Sequence, residues 1–204
     1  MSKSAPSTVA NVARLGITLD DVDPKVTRRI EVPLTIRLDR LHLVIQAAMG
    51  WTNSHLWGFE AGGASWGDAS MTDFGDGPLP AAKTTLLDVI EDVGTKTLHY
   101  VYDYGDNWEH TIKVERIGDT EPGALYPRLI KAQGRCPPED IGGPPGYDMY
   151  LEAIADPEHE EHEWMLECYG EPKDPNDPQP DAIIAELTRL AKRWAPKSRK
   201  PKQG

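Results

Sequence analysis

The sequence predicts an α+β fold: a single domain with a mixed or antiparallel sheet, an N-terminal β-hairpin and helix, and a helical C-terminal segment packed on the sheet. Three observations lead there. Strand-like segments dominate the first two thirds of the chain and helix-period segments the rest, an order that is segregated rather than a repeating β-α. Glycine and proline number 18 each among 204 residues, which calls for many turns and short elements. Apolar residues make up 39% and charged residues 27%, enough for one core and short of a disordered composition.

Residues 1–8 carry no periodic signal and read as a disordered tail, followed by a domain over 9–194 and a basic tail over 195–204. A hairpin is expected over 9–33, with Asp20, Asp21, Asp23 and Pro24 in its turn and 26–32 returning. Asp39 is a candidate cap for the next helix, whose Leu41, Val44, Ile45, Ala48 and Met49 share a face before Gly50 stops it. Residues 55–61 read as a strand, followed by a glycine-rich loop to Pro80. Thr84 or Thr85 then caps a short helix that ends at Gly94. Two strands flank Gly105-Asp106 and a third is expected over 126–131. Tyr147, Tyr150, Leu151 and Ile154 fall at helical spacing. Asp156-Pro157 suits the start of a further helix running to about 167, and an amphipathic helix over 181–194 closes the domain.

The net charge of −11 disfavours contact with a phosphate backbone. The charge is unevenly placed. Residues 139–181 hold fourteen acids and one base, Lys173, whereas no acid follows Glu186 and seven Lys or Arg accumulate there. No stretch is long and apolar enough to span a bilayer, and the N-terminus lacks a signal-peptide pattern, so a cytoplasmic location and no membrane partner are expected. Cys136 and Cys168 form no C-x-x-C pair and read as reduced, buried thiols.

The densest chemistry lies in Tyr102-Asp-Tyr-Gly-Asp-Asn-Trp-Glu-His110. A two-residue Gly105-Asp106 turn of type II′ would pair Asp103 with Trp108 and Val101 with His110, putting Asp103, Trp108 and His110 on one face. Two readings are open. Asp103 orients His110 as a base, or both bind a divalent ion with Asp106; alternatively, the acids organise the turn and His110 packs beneath Trp108. A second knot, Cys136-Pro-Pro-Glu139-Asp140, is a rigid loop that presents two carboxylates and a thiol, without the ligand spacing of structural zinc. His159 and His162 stand one turn apart if helical, a spacing that differs from the zincin motif.

These stretches, with Leu43-Val-Ile-Gln-Ala-Ala-Met-Gly-Trp-Thr-Asn-Ser54, His55-Leu56, Gly146-Tyr147 and Asp156-Pro-Glu-His159, resemble the plasmid pRiA4b ORF-3-like family over about residues 9–194. The resemblance implies a compact α+β domain, in some members a passenger of plasmids and insertion sequences labelled TnpR. It implies no agreed activity and no catalytic residues. Where relatives tend to have His-Glu-Phe after Ser-His-Leu, this chain has Trp57-Gly58-Phe59. The resolvase label does not suit an acidic chain whose N-terminal serines lie in a structureless tail.

The leading expectation is a non-enzymatic accessory or binding module of mobile-element or housekeeping origin, meeting a protein partner or small ligand near Asp103, Trp108 and His110. A metal-dependent or acid/base hydrolase using Asp103, Asp106, His110 and Glu139 is the alternative. A DNA-associated transposition accessory engaging nucleic acid through its basic tail is a third. No cofactor is required by the sequence, and a divalent metal fits the second reading.

Overall fold

The N-terminal hairpin forms as its alternation predicts. In a computed structural model that describes residues 11–68, 70 and 77–195, β1 (Val12–Leu19) pairs antiparallel with β2 (Val26–Pro33). The tail 1–8, and the basic tail 195–204 apart from Ala195, lie outside the described residues. Helix α1 (Leu38–Met49) follows, then β3 (Trp57–Ala61), β4 (Ala64–Gly67), β5 (Leu79–Pro80), α2 (Leu86–Val93), β6 (Thr97–Tyr102), β7 (Trp108–Gly118) and β8 (Arg128–Gln133). Helices α3 (Gly143–Ala155), α4 (His162–Tyr169) and α5 (Pro180–Trp194) complete the chain. The strands form one mixed sheet in the order β5-β4-β3-β6-β7-β1-β2-β8, in which β4 and β5 are parallel and the other pairs antiparallel. The fold is α+β. No helix among the described residues is long and apolar enough to cross a membrane.

Strand alternation divides the sheet. Leu15, Ile17, Ile30, Leu98, Tyr100, Tyr102, Trp108 and Ile112 are buried on one face with Leu41, Val44, Ile45 and Ala48 of α1. Burying each large side chain is worth about 1.5–3 kcal/mol, so this face supplies the bulk of the stability. The opposite face carries Thr18, Thr27, Arg29, Thr111 and Lys113 around a polar groove. An ion-pair chain, Arg14–Glu31–Arg128–Glu121, crosses the same face.

Four expectations need correction. The hairpin between β6 and β7 is not a two-residue turn: residues 103–107 form the loop, and Tyr102 faces Trp108, Tyr100 faces His110 and Leu98 faces Ile112. Asp103 and Asn107 both adopt left-handed backbone (φ 57° and 56°), which Asp and Asn tolerate, and the Asn107 N–H donates to the Asp103 carbonyl across 2.6 Å. The Asp103 Oδ1 accepts from the Gly105 N–H, an Asx turn that the two-residue model leaves out. The one-residue slip exchanges every cross-strand partner, so His110 shares the buried face with Tyr100 and Tyr102 instead of with Asp103.

Second, Asp39 does not cap α1: the cap position is Arg37, whose guanidinium pairs with Asp39. Third, α4 starts at His162 rather than at Pro157. His159 therefore lies in a turn, where its Nδ1 accepts from the Glu161 N–H, while the His162 Nδ1–H donates to the Ala153 carbonyl, and the two do not form a helical chelate. Fourth, Gly62-Gly63, both at positive φ, turn β3 back into β4 within the expected loop.

Helix α2 begins as expected. Thr85 and Asp88 form a reciprocal capping box, with the Asp88 N–H donating to the Thr85 Oγ1 and the Thr85 N–H to the Asp88 carboxylate. Thr85→Ala should lower the free energy of unfolding by about 1 kcal/mol in urea titration and Thr85→Ser by much less, because serine restores the cap.

Candidate functional site

Three chain segments meet at one end of the sheet because β3 lies antiparallel to β6 with Trp57 opposite Tyr102. The segment leading into β3, residues 50–56, thus arrives beside the loop that leaves β6. The Asp103 N–H donates to the Leu56 carbonyl and stitches these two together at 2.9 Å. The Cys-Pro-Pro segment forms the third side. Its Pro137 carbonyl accepts from the Trp51 indole at 3.0 Å, and its Gly142 N–H donates to the Asp106 carboxylate at 3.2 Å. Gly143 (φ +69°) lies so close to the Asp106 carbonyl that a Cβ would collide with it.

Glu139 locks the junction. One carboxylate oxygen accepts the Tyr102 hydroxyl at 2.5 Å, and the other accepts the Thr52 N–H at 2.9 Å and the Thr52 hydroxyl at 2.6 Å. The Tyr102 oxygen in turn accepts from the Ser54 N–H at 2.9 Å. Burial and the neighbouring carboxylate both push the Tyr102 pKa up, so its hydroxyl stays a donor.

In front of this lock stand His55, Asp103 and Asp140, whose ligand atoms all lie within 4.8 Å of one another. The His55 Nε2 is 2.9 Å from the Asp140 Oδ1 and 3.6 Å from the Asp103 Oδ2. Despite the short first distance, this buried nitrogen has no hydrogen-bond partner among the described residues: the Asp140 oxygen lies off the direction an N–H would take, and the Asp103 oxygen lies beyond hydrogen-bond distance. The three ligand atoms therefore stand close together with no hydrogen bond between the imidazole and either carboxylate. Asp103 is 9% exposed, with its other oxygen held by Gly105, whereas the Asp140 side chain is 71% exposed on a residue at φ 59°. The Asp140 carbonyl is held by the Tyr169 hydroxyl of α4 at 3.0 Å. Two carboxylates and one imidazole make a donor set suited to a borderline or hard divalent ion.

The other histidines of this region are structural. His110 is fully buried, its Nδ1–H shared between the carbonyls of Trp108 (3.0 Å) and Tyr100 (3.2 Å), with its ring edge-on to Trp51 at 5.5 Å. Its Nε2 has no hydrogen-bond partner among the described residues. His42 stacks on Trp57 at 4.0 Å and bridges Tyr100 and Asn53. Burial lowers both histidines to a pKa of about 4.

Of the residues singled out in the sequence, Asp103 and Asp140 converge, and Glu139 and Asp106 bind the loops behind them. Trp108 lies in the core beneath, 5.9 Å from Trp51. His110 is sealed away, so the Asp103–His110 pair that would orient a base or ligate a metal is absent. Cys136 lies beside Arg28, and burial of its sulfur pushes the thiol pKa up, which leaves no nucleophilic thiolate. His55, Tyr102 and Thr52 carry much of the geometry and were not among the expected site residues. The signal for His55 was its place two residues before β3, but its meeting with Asp103 follows only from the β3–β6 pairing.

The family model described as plasmid pRiA4b ORF-3-like protein matches residues 11–182. An uncharacterized protein, y4hQ, of Sinorhizobium fredii (strain NBRC 101917 / NGR234) is 48% identical over 193 residues, covering 94% of this chain and 98% of that one. The crystal structure of a protein of unknown function, MM3350 from Methanosarcina mazei Go1, superposes with a TM-score of 0.75 at 33% identity, over 84% of this chain and 98% of that one.

The depressed histidines give stability a direction with pH. Each binds a proton in the unfolded chain near pH 6.5 but in the folded one only near pH 4. The stabilisation is complete above pH 6.5 and is lost as the pH falls toward 4, by at most about 3 kcal/mol per histidine. Urea midpoints should therefore drop between pH 7 and pH 4.5, and His110→Phe should make the drop shallower.

Proposed function

The chain belongs to the plasmid pRiA4b ORF-3-like family, and we propose that it is a binding module holding one divalent cation at His55, Asp103 and Asp140. The observation that carries this reading is the buried His55 Nε2, without a hydrogen-bond partner among the described residues, set between two carboxylate oxygens at 2.9 and 3.6 Å. Donors about 2.1 Å from an ion lie about 3.0 Å apart at right angles and about 3.4 Å apart in a tetrahedron, so these spacings match the edges of a coordination shell. The nitrogen and oxygen donors favour ions such as zinc or manganese over calcium. The Glu139–Tyr102–Thr52 lock supplies the support that keeps the three ligands in place.

Three protein donors leave coordination positions for water or for a group on a small ligand or protein partner. The wider role we infer is that of an accessory module of plasmid or mobile-element origin, and that origin rests on the family resemblance. A hydrolytic role would need a base beside the ion, and the buried His110 does not offer one. A nucleic-acid role would rest on the charge of the basic tail alone.

Calorimetric titration of chelator-treated protein with Zn²⁺ and Mn²⁺ is the test. One ion should bind per chain, with His55→Ala and Asp103→Asn each weakening it at least about tenfold. His110→Phe should leave the affinity intact. Failure of both ions to saturate a single site, or full affinity in the His55→Ala variant, would overturn the proposal.

A further inference from the structure

Beside the lock, a cavity of about 260 Å³ opens between the Cys-Pro-Pro segment, the end of α1, α3 and the loop before α5. Its charge contradicts the rest of the chain. Residues 139–181 hold a single base among fourteen acids, and that base, Lys173, lines this cavity. Lys173 forms no ion pair among the described residues. Arg28 and Arg135 line it as well, so three cations face one carboxylate, Glu139, in a protein of net charge −11. Glu139 is already committed to Tyr102 and Thr52.

Arg28 is the most informative of the three. It projects from β2 into the core and is 2% exposed, yet no carboxylate pairs with it among the described residues. Its Nε donates to the Ala48 carbonyl at the end of α1, and its Nη1 donates to the carbonyls of Thr27, Gln133 and Gly134. All four acceptors are neutral. The end of a helix offers about half a negative charge, which leaves part of the guanidinium charge uncompensated. Its Nη2 makes no hydrogen bond among the described residues. Burial pushes the Arg28 pKa down, the electrostatic mark of a cation short of an anion. Arg135 is partly occupied, with Nη2 3.2 Å from an Asp177 oxygen.

The remaining wall is largely aromatic. Tyr147 and Tyr150 lie nearly parallel at 6.2 Å, Tyr169 meets Tyr150 edge-on, and Trp51 and the two prolines 137 and 138 close the side. Aromatic walls with a few convergent charges are the usual make-up of a small-molecule site, and this cavity lies just below the common size range of about 300–1,000 Å³. We propose that this cavity binds a small anion carried on a flat ring, an aryl carboxylate or aryl phosphate. The ring packs among Tyr147, Tyr150 and Trp51, and the anion is drawn by Arg28, Arg135 and Lys173.

The test is calorimetry in the presence of EDTA with phenyl phosphate, phenylacetate and neutral benzyl alcohol. One of the two anionic probes should bind once per chain, at least about tenfold tighter than benzyl alcohol, as one charge-assisted hydrogen bond would give. Whichever anion binds tighter identifies phosphate or carboxylate as the preferred group. The double variant Arg135→Gln, Lys173→Gln should weaken that binding at least about tenfold. His55→Ala should bind the probe as the unaltered protein does, which keeps this outcome separate from the cation site. Equal binding of benzyl alcohol, undiminished binding by the double variant, or no binding of either anion at millimolar concentration would overturn the proposal.

Discussion

One carboxylate holds the functional end of this protein together. Glu139 accepts three hydrogen bonds from two segments far apart in sequence, the end of β6 through Tyr102 and the loop after α1 through Thr52. Hydrogen bonds to a charged acceptor are each worth roughly 1.5–3 kcal/mol. The Tyr102 hydroxyl is partly shielded from water, so removing the carboxylate would strand that donor, whereas the exposed Thr52 groups would turn to water. Without Glu139 the Cys-Pro-Pro segment would keep the Trp51–Pro137, Asp106–Gly142 and Tyr169–Asp140 contacts, none of which ties it to Tyr102 or Thr52. The proposed cation site, and the cavity that shares Glu139 in its wall, both depend on this joint.

The sheet makes the joint possible, and burial decides which histidine can act. His110 and His55 stand near the same sheet end, but His110 points into the core, where desolvation holds it neutral and its accessible chemistry is nil. His55 stands on the loop two residues before β3, half-buried, with its Nε2 close to oxygens of two carboxylates. The same division applies to the acids. Asp106 is spent on the backbone of Gly142, while Asp103 divides its two oxygens between the Gly105 amide and the triad. Four of the six non-glycine residues at positive φ among the described residues, Asn53, Asp103, Asn107 and Asp140, flank this point. All are Asn or Asp, the residue types that adopt this backbone at least cost, so the tight loops that crowd the site are built with little strain.

Much of the architecture is legible in the sequence. The α1 stripe from Leu41 to Met49, the Thr85 cap, Gly50 and Gly94 as stops and the segregation of strands before helices all follow from local rules. What failed locally was the β6–β7 turn, where Gly105-Asp106 imitates a two-residue hairpin. The loop is set instead by the left-handed Asp103 and Asn107 and by Asp103 bonding to Gly105. That one-residue error moved His110 to the wrong partners. The candidate site was half legible. Asp103, Glu139 and Asp140 stand out by composition, but His55 joins them through the pairing of Trp57 with Tyr102, a long-range contact that no local spacing encodes. Lys173 stood out in the sequence as the one base of an acidic stretch, but its meeting with Arg28 and Arg135 around one cavity follows only from the fold.

Anomalous diffraction from crystals soaked in Mn²⁺ tests the central claim most directly. An ion at the meeting of the three loops should give one anomalous peak per chain, about 2.0–2.3 Å from the His55 Nε2 and from one oxygen each of Asp103 and Asp140. A clean map at that point, with His55 donating an aligned hydrogen bond to Asp140 instead, would contradict it.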